Sequence, residues 1–102
     1  MKNRISLHLL VNQLVAALQP LAMKRGNVIL NGTPDGLNFI MEENKLAAAL
    51  RQLINGALKS RKNECIHIIT LVADESTTVC VRGGAPAEMS YSIPNTLLAF
   101  DC

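Results

Sequence analysis

The sequence predicts an α+β fold, a two-layer sandwich in which two helices pack on one face of a mainly antiparallel sheet. Two amphipathic segments, each followed by a pair of strand-like segments, give the order α-β-β-α-β-β. Runs of antiparallel strands with helices on one side are typical of such folds. The 102 residues suit one domain, because single domains commonly run about 100–150 residues. Residues 1–102 are therefore predicted to be a single domain. The arrangement of residues 84–102 is left open, because SIPNTLLAFDC (92–102) suits either a short helix that starts near Asn95 or Thr96 or a last edge strand.

The first helix is predicted over residues 5–24. Apolar residues recur there every three or four positions, which places them along one side of a helix. They are Leu7, Val11, Leu14, Leu18 and Leu21. Ser6 is a candidate N-cap, and Gly26 after Lys24 and Arg25 is a typical stop signal. Pro20 is expected to kink or split the helix because it lacks a backbone donor. The apolar seam is also compatible with self-association.

The first pair of strands is predicted as a hairpin, with NVILNG (27–32) and GLNFIME (36–42) flanking a Thr-Pro-Asp turn. A second helix is predicted from about residue 43 to 60. Its buried stripe consists of Leu46, Leu50, Leu53 and Ala57. Gly56 lies within it and weakens a helix by about 1 kcal/mol relative to alanine. A glycine at this position suggests a reason, such as the close approach of another backbone.

A second hairpin is predicted from CIHIITLVA (65–73) and TTVCVRG (77–83), which are rich in Ile, Val and Thr. The first of these strands is apolar on both sides, through Ile66, Ile68, Ile69, Leu71 and Val72. This pattern predicts burial on both faces of the sheet. The face away from the helices, or an edge strand, would then need a partner.

Composition excludes several classes of protein. The net charge of +2 is too balanced for a nucleic-acid-binding surface, and the few aromatic residues offer no stacking platform. Three cysteines without a CxxC pair predict reduced thiols instead of a disulfide framework or a zinc site. No run reaches the roughly 18 apolar residues of a membrane span, and no cleavage site follows the N-terminal apolar run. The sequence therefore predicts a soluble, cytoplasmic protein.

The order of helix, QPLAMKRGNVIL, hairpin, MEENKLAAALRQLINGALK and hairpin resembles the first part of the ATP-binding domain of bacterial sensor histidine kinases. That family has the Bergerat-type sandwich. The resemblance covers roughly residues 7–83. In the second helix the acidic position of the family corresponds to Glu42, and the helix ends in GALK, residues 56–59, where the family has Asn-Ala-x-Lys.

The departures from the family pattern concern the nucleotide site. Gly56 stands where the family has the asparagine that binds magnesium, and Asn55 comes one residue earlier. A shift of one residue turns a helical side chain by about 100°, so Asn55 is not expected to replace that ligand. The family's Asp-x-Gly-x-Gly motif should follow Val81, where this chain reads RGGAPAEM, and the glycine-rich lid has no counterpart before Cys102. The resemblance therefore implies a truncated and degenerate site.

Five residues remain as a nucleotide-binding set implied by the resemblance: Gln52, Asn55, Lys59, Gly83 and Gly84. The competing interpretation is a solvated helix face followed by an ordinary glycine turn. No catalytic residue and no metal ligand is assigned. His8 lacks the acidic neighbour and the proline of the family's phosphoacceptor motif. ATP with magnesium is the one cofactor that the resemblance would imply.

Three hypotheses follow from this sequence. The first is a protein-interaction module in two-component-type signalling, without catalysis, acting on a protein partner or as a dimer. The second is a genuine ATP-binding part of a histidine kinase, an ATP-dependent protein kinase, completed by another segment or chain. The third is an unrelated α+β domain, since short motifs also arise by chance.

Overall fold

A computed structural model describes residues 3–82 and 89–99 of the chain. The elements in chain order are β1 (Asn3–Ser6), α1 (Leu7–Met23), β2 (Val28–Asn31), β3 (Asn38–Met41), α2 (Glu43–Lys59), β4 (Cys65–Val72), β5 (Ser76–Arg82), β6 (Met89–Pro94), a 3₁₀ turn (Asn95–Leu97) and β7 (Leu98–Ala99). The predicted α+β class and both helices are confirmed. Strands β1 and β6 are additions to the predicted order, and the segment after β6 contains both a helical turn and a short strand.

The strands form two sheets. The main sheet has the order β2-β4-β5-β6, and the small sheet has the order β1-β3-β7. Strand β2 runs parallel to β4, whereas every other pairing is antiparallel. Helix α1 packs over β2, and α2 packs against α1, β5 and β6. The helices thus cover one face of the main sheet, as the sequence predicted.

The predicted first hairpin is wrong, because β2 and β3 belong to different sheets. Ile29 of β2 pairs with Ile66 of β4, while Phe39 of β3 pairs with Ile5 of β1. The connection carries the turn residues that suggested a hairpin, and Gly36 within it has a left-handed φ of 95°. Turn chemistry alone did not decide the pairing, since strand register follows from which apolar sides are buried together.

Helix α1 begins and ends close to the predicted positions. The backbone N–H of Leu9 donates to the Ser6 hydroxyl at 3.3 Å, which confirms the N-cap. Pro20 does not split the helix. Leu21 was expected in the buried seam, but it is 48% exposed and Ala22 is buried instead. A four-three spacing drifts by about 20° per heptad in a straight helix, which carries Leu21 out of the core after two heptads.

The core lies between the helices and the inner face of the main sheet. The predicted stripe of α2 is confirmed, since all four of its residues are buried. The inner face of the sheet contributes Ile29, Ile66, Ile68, Val79, Val81 and Ile93. On the outer face Leu71 is 50% exposed, and Val72 at the end of β4 is 58% exposed. The expected burial of β4 on both faces is therefore wrong for these residues. Neither helix, among the residues described, has the length and apolar character needed to cross a membrane.

Candidate functional site

The structure brings together two of the five predicted site residues. Asn55 and Lys59 of α2 line a cleft of about 230 Å³ between the C-terminal ends of the two helices. Gln52 is exposed on α2 and does not line this cleft. Gly83 and Gly84 lie outside the described residues. The five residues therefore do not form one site in the described part of the chain.

Gly56 and Asn55 face different neighbours, although they are adjacent on α2. A Cβ built on Gly56 would lie 2.9 Å from the terminal methyl carbon of Met89 in β6. Asn55 instead faces the C-terminal end of α1 across the cleft. There is a close approach at this glycine, and it is made by a methionine side chain and not by another backbone, which was the example the sequence suggested. The space beside the position that resembles the family's magnesium ligand holds a methionine methyl group.

Replacing Gly56 by alanine should stabilise the protein by up to about 1 kcal/mol, because alanine is the better helix former. The added Cβ would require the Met89 methyl to move, and this is the far end of a flexible side chain. Equilibrium unfolding in urea would measure the change in the free energy of unfolding. Ala48→Gly, at an exposed position of the same helix, is the matched control for helix propensity alone. A loss of stability in Gly56→Ala would contradict the prediction and show that Met89 is held rigidly.

The cleft between the helix ends is apolar at its base and basic at its rim. Its lining residues are Leu21, Lys24, Arg25, Asn55, Leu58 and Lys59. Arg25 donates from Nη1 to the backbone carbonyl of Lys59 at 2.6 Å, which ties the end of α2 to the end of α1. Unpaired carbonyls give each helix C-terminus a partial negative charge, and cations there are stabilising. The basic rim thus complements both helix ends.

A buried asparagine fixes the same corner of the molecule. Asn27 is fully buried; its Nδ2 donates to the carbonyl of Arg61 at 2.9 Å, and its Oδ1 accepts from the backbone N–H of Glu64 at 3.0 Å. Arg61 is 2% exposed, and its Nε lies 3.3 Å from the carboxylate of Glu64. These contacts join the segment after α1 to the segment after α2. These hydrogen bonds therefore hold together the two segments that follow the helix ends at the cleft.

The chemistry of the cleft favours an anionic ligand over a metal ion. Three cations line it, and they would repel magnesium, which prefers oxygen ligands. Among residues 3–82 and 89–99, no three His, Cys, Asp or Glu side chains converge into a metal site. A second cleft of about 230 Å³ is lined by Asn3, Glu42, Glu43 and Asn44. Its two carboxylates do not suit a phosphate group.

Sequence reasoning missed the contribution of α1 to this site. Lys24 and Arg25 were interpreted only as part of a helix stop signal. A usable signal was present, because basic residues follow the apolar stripe at the end of both predicted helices. When two helices pack side by side on a sheet and run in the same direction, their C-terminal ends lie next to each other. This inference needs the packing of α1 on α2, which periodicity alone does not supply.

His8 is held by structural contacts on both ring nitrogens. Nδ1 lies 2.6 Å from the carbonyl oxygen of Thr33, so this nitrogen donates. Nε2 lies 3.2 Å from the amide nitrogen of Asn12, from which it accepts. The Asp35 carboxylate is 3.7 Å from Nε2. These contacts join α1 to the β2–β3 connection and explain a polar residue at this position without a phosphorylation role.

Comparison with solved structures identifies the fold. The catalytic domain of the histidine kinase ThkA matches with a TM-score of 0.74 and 16% identity, covering 84% of this chain and 60% of that chain. A histidine kinase from Burkholderia phymatum matches with a TM-score of 0.70 and 23% identity, covering 79% of this chain and 38% of that one. ThkA in complex with the response regulator TrrA matches with a TM-score of 0.72 at 16% identity, covering 83% of this chain and 26% of that one.

The chain has the fold of the catalytic, ATP-binding domain of histidine kinases, and the resemblance seen in the sequence is confirmed at the level of the fold. It spans 60% of the ThkA catalytic domain. At 16% and 23% identity these similarities establish the fold alone. No protein-family profile matches the sequence, and no curated protein matches it.

Proposed function

We propose that this protein is a histidine-kinase-like ATPase-domain relative that acts in bacterial two-component-type signalling as a protein-interaction module with a degenerate nucleotide site. The observation that carries the proposal is the contact between Gly56 and Met89. Gly56, at the position of the magnesium ligand, has no side chain, and the Met89 methyl group lies 2.9 Å from the place that a Cβ would occupy. A magnesium ion bridging nucleotide phosphates would lack this ligand, and the Met89 methyl group would have to move before another group could occupy the space beside Gly56.

Other features of the chain support the loss of nucleotide binding. The sequence after Val81 contains no aspartate before Asp101, so the contact that the family makes to adenine has no counterpart there. The cleft beside Asn55 and Lys59 has a volume of about 230 Å³. Small-molecule sites usually measure about 300–1,000 Å³, so this cleft is small for a nucleotide.

Exposed apolar residues support the interaction role. Val28 and Leu30 of β2 are 47% and 44% exposed, and Leu71 of β4 is 50% exposed. Strand register places all three on the outer face of the main sheet. Apolar residues exposed side by side on one face, as Val28 and Leu30 are, are typical of surfaces that contact other proteins. The ThkA structure that contains a response regulator is a precedent for protein partnering on this fold.

The alternative is a working ATP-binding part of a histidine kinase that another segment or chain completes. The observation that favours it is the match to a catalytic domain of which 40% has no counterpart here, since 60% is covered. In that case a lid and an adenine contact would come from outside the described residues. Phosphoryl transfer would then require both the metal and positioned phosphates.

Calorimetric titration of the protein with ATP, with and without magnesium, tests the two functions. We expect no saturable heat up to millimolar ATP in either condition, because the side chain at the metal-ligand position and the aspartate that would contact adenine are both missing. Size-exclusion chromatography with multi-angle light scattering, measured in parallel, would report self-association. Saturable binding in the micromolar range that magnesium strengthens would contradict the proposal and support the alternative. A monomer that captures no protein from the host lysate would count against the interaction role.

A further inference from the structure

The cleft between the helix ends collects much of the protein's positive charge. Three of the ten basic residues line it: Lys24 and Arg25 in residues 24–25, and Lys59 in residues 59–62, a segment that also carries Arg61 and Lys62 outside the cleft. The two segments are adjacent in space, because Asn63 donates its backbone N–H to the carbonyl of Arg25 at 2.9 Å. Within residues 3–82 and 89–99, the ammonium groups of Lys24 and Lys59 contact no carboxylate. Both therefore remain available to an anionic ligand.

The apolar part of the cleft is accessible through Leu21. Leu58 is 2% exposed, whereas Leu21 is 48% exposed although it lies within a helix of the core layer. The side chain of Asn55, half-buried in the same cleft, forms no hydrogen bond with the described part of the chain. Its amide can both donate and accept, as a peptide backbone requires. Apolar contact, an unused amide and a basic rim thus occur together.

We propose that this cleft binds an acidic segment of a partner protein, with one apolar side chain packed on the exposed Leu21 and carboxylates against Lys24 and Lys59. The inference rests on the proposed interaction function and specifies the partner's chemistry. The volume of about 230 Å³ suits one or two side chains. Charge complementarity favours a carboxylate-bearing segment, because close charges of opposite sign select partners and like charges exclude them.

A protein segment fits these features better than a nucleic acid does. Nucleic acids also present anions, but recognition of single strands relies on aromatic stacking. Of the chain's three aromatic residues, Phe39 is fully buried and Tyr91 belongs to the inner face of the main sheet. The accessible surface at the cleft is aliphatic. An aliphatic base beside a basic rim matches leucine or isoleucine flanked by aspartate or glutamate.

The test uses NMR spectra of the isotope-labelled protein titrated with a synthetic peptide of aspartate, glutamate and leucine. A matched peptide carries asparagine and glutamine in place of the acids. We expect the backbone amide signals of Lys24, Asn55 and Lys59 to shift with the acidic peptide only. Lys59→Glu and Lys24→Glu should each weaken binding about tenfold or more, because they place like charges opposite each other.

Two further variants keep the test specific. Lys62→Glu makes the same change of net charge at an exposed lysine that does not line the cleft, and we expect less than about a twofold effect since exposed charges are screened by salt. Leu21→Ser removes exposed apolar surface without touching the core and should weaken binding several-fold. Thermal unfolding of each variant would show that the fold is retained.

Several outcomes would overturn the inference. One is equal loss of binding in Lys62→Glu and Lys59→Glu, which would mean non-specific charge attraction. Another is a set of shifts that maps to the outer face of the main sheet. Equal binding of the amide peptide, or stronger binding of a single-stranded RNA at the same signals, would also refute it. If the wild-type protein binds no peptide and no ATP, the inference fails and the proposed interaction function stands. If the protein binds both the acidic peptide and Mg-ATP tightly, the inference about the cleft holds and the proposed degenerate nucleotide site is refuted.

Discussion

Replacing Phe39 by alanine should destabilise the protein by about 3–5 kcal/mol, the largest effect we expect from a single substitution. Phe39 is fully buried, and its strand β3 is the centre of the small sheet. It pairs with Ile5 on one side and Leu98 on the other. Truncation would remove the contacts that join this sheet to the core and leave a cavity. Domains are commonly stable by only about 5–15 kcal/mol, so the variant should be close to unfolding.

Equilibrium unfolding in urea, followed by circular dichroism, would measure this loss. Ile40→Ala is the matched control, because Ile40 is the next residue of the same strand, points to the opposite face and is 46% exposed. We expect it to cost about 1 kcal/mol or less. If Phe39→Ala does not fold, Phe39→Leu should still show a smaller loss of about 1–2 kcal/mol. Equal costs for Phe39→Ala and Ile40→Ala would mean that the small sheet is not packed on the core as described.

Replacing Asn27 by alanine should destabilise the protein by about 2–4 kcal/mol, because two buried backbone groups would lose their partners. These groups are the carbonyl of Arg61, 2.9 Å from Nδ2, and the N–H of Glu64, 3.0 Å from Oδ1. Alanine can satisfy neither. The same change should loosen the segments that carry Lys24 and Lys59, so peptide binding at the cleft should weaken as well.

Amide hydrogen exchange would test the role of Asn27 directly. The Glu64 amide should lose protection in Asn27→Ala before the amides of β4 do, since the substitution removes the Asn27 side-chain oxygen that accepts its hydrogen bond. Asn38→Ala is the control, because the Asn38 side chain donates one long bond of 3.4 Å to the nearby carbonyl of Gly36. Its cost should stay below about 1 kcal/mol. Unchanged exchange at Glu64 would show that another group satisfies this amide.

The parts of the fold that could be predicted depend on contacts within one segment. The apolar stripe of α2 and the cap of α1 follow from spacing and side-chain type within a few residues, and both are confirmed. The pairing of β2 with β4 depends on residues far apart in the chain, for which a local turn signal is a poor guide. The exposure of Leu71 likewise depends on which face the helices cover, since its strand is apolar on both sides.

The site was less predictable than the fold, for a related reason. The sequence indicated that the Asn55 side chain does not replace the ligand missing at Gly56, because adjacent helical residues point about 100° apart. It did not show that Met89 would lie against Gly56, since that contact joins α2 to a strand that was not predicted. It also did not join Lys24 to Lys59, which requires the relative position of two helices. Gln52, which the resemblance grouped with Asn55 and Lys59, does not line their cleft.

The parallel pairing of β2 with β4 has a consequence for how the chain folds during synthesis. Val28 lies opposite Cys65, so β2 must wait for 37 further residues (65 minus 28) before its partner strand exists. Until then its edge and the apolar side chain of Ile29, which is only 2% exposed in the folded protein, stay exposed to other nascent chains, and unpaired apolar edges favour aggregation. Closing a long loop slows folding, so the antiparallel strands β4 and β5 should pair before β2 joins them. Slower translation beyond β2 would therefore lengthen the period in which a chaperone is needed.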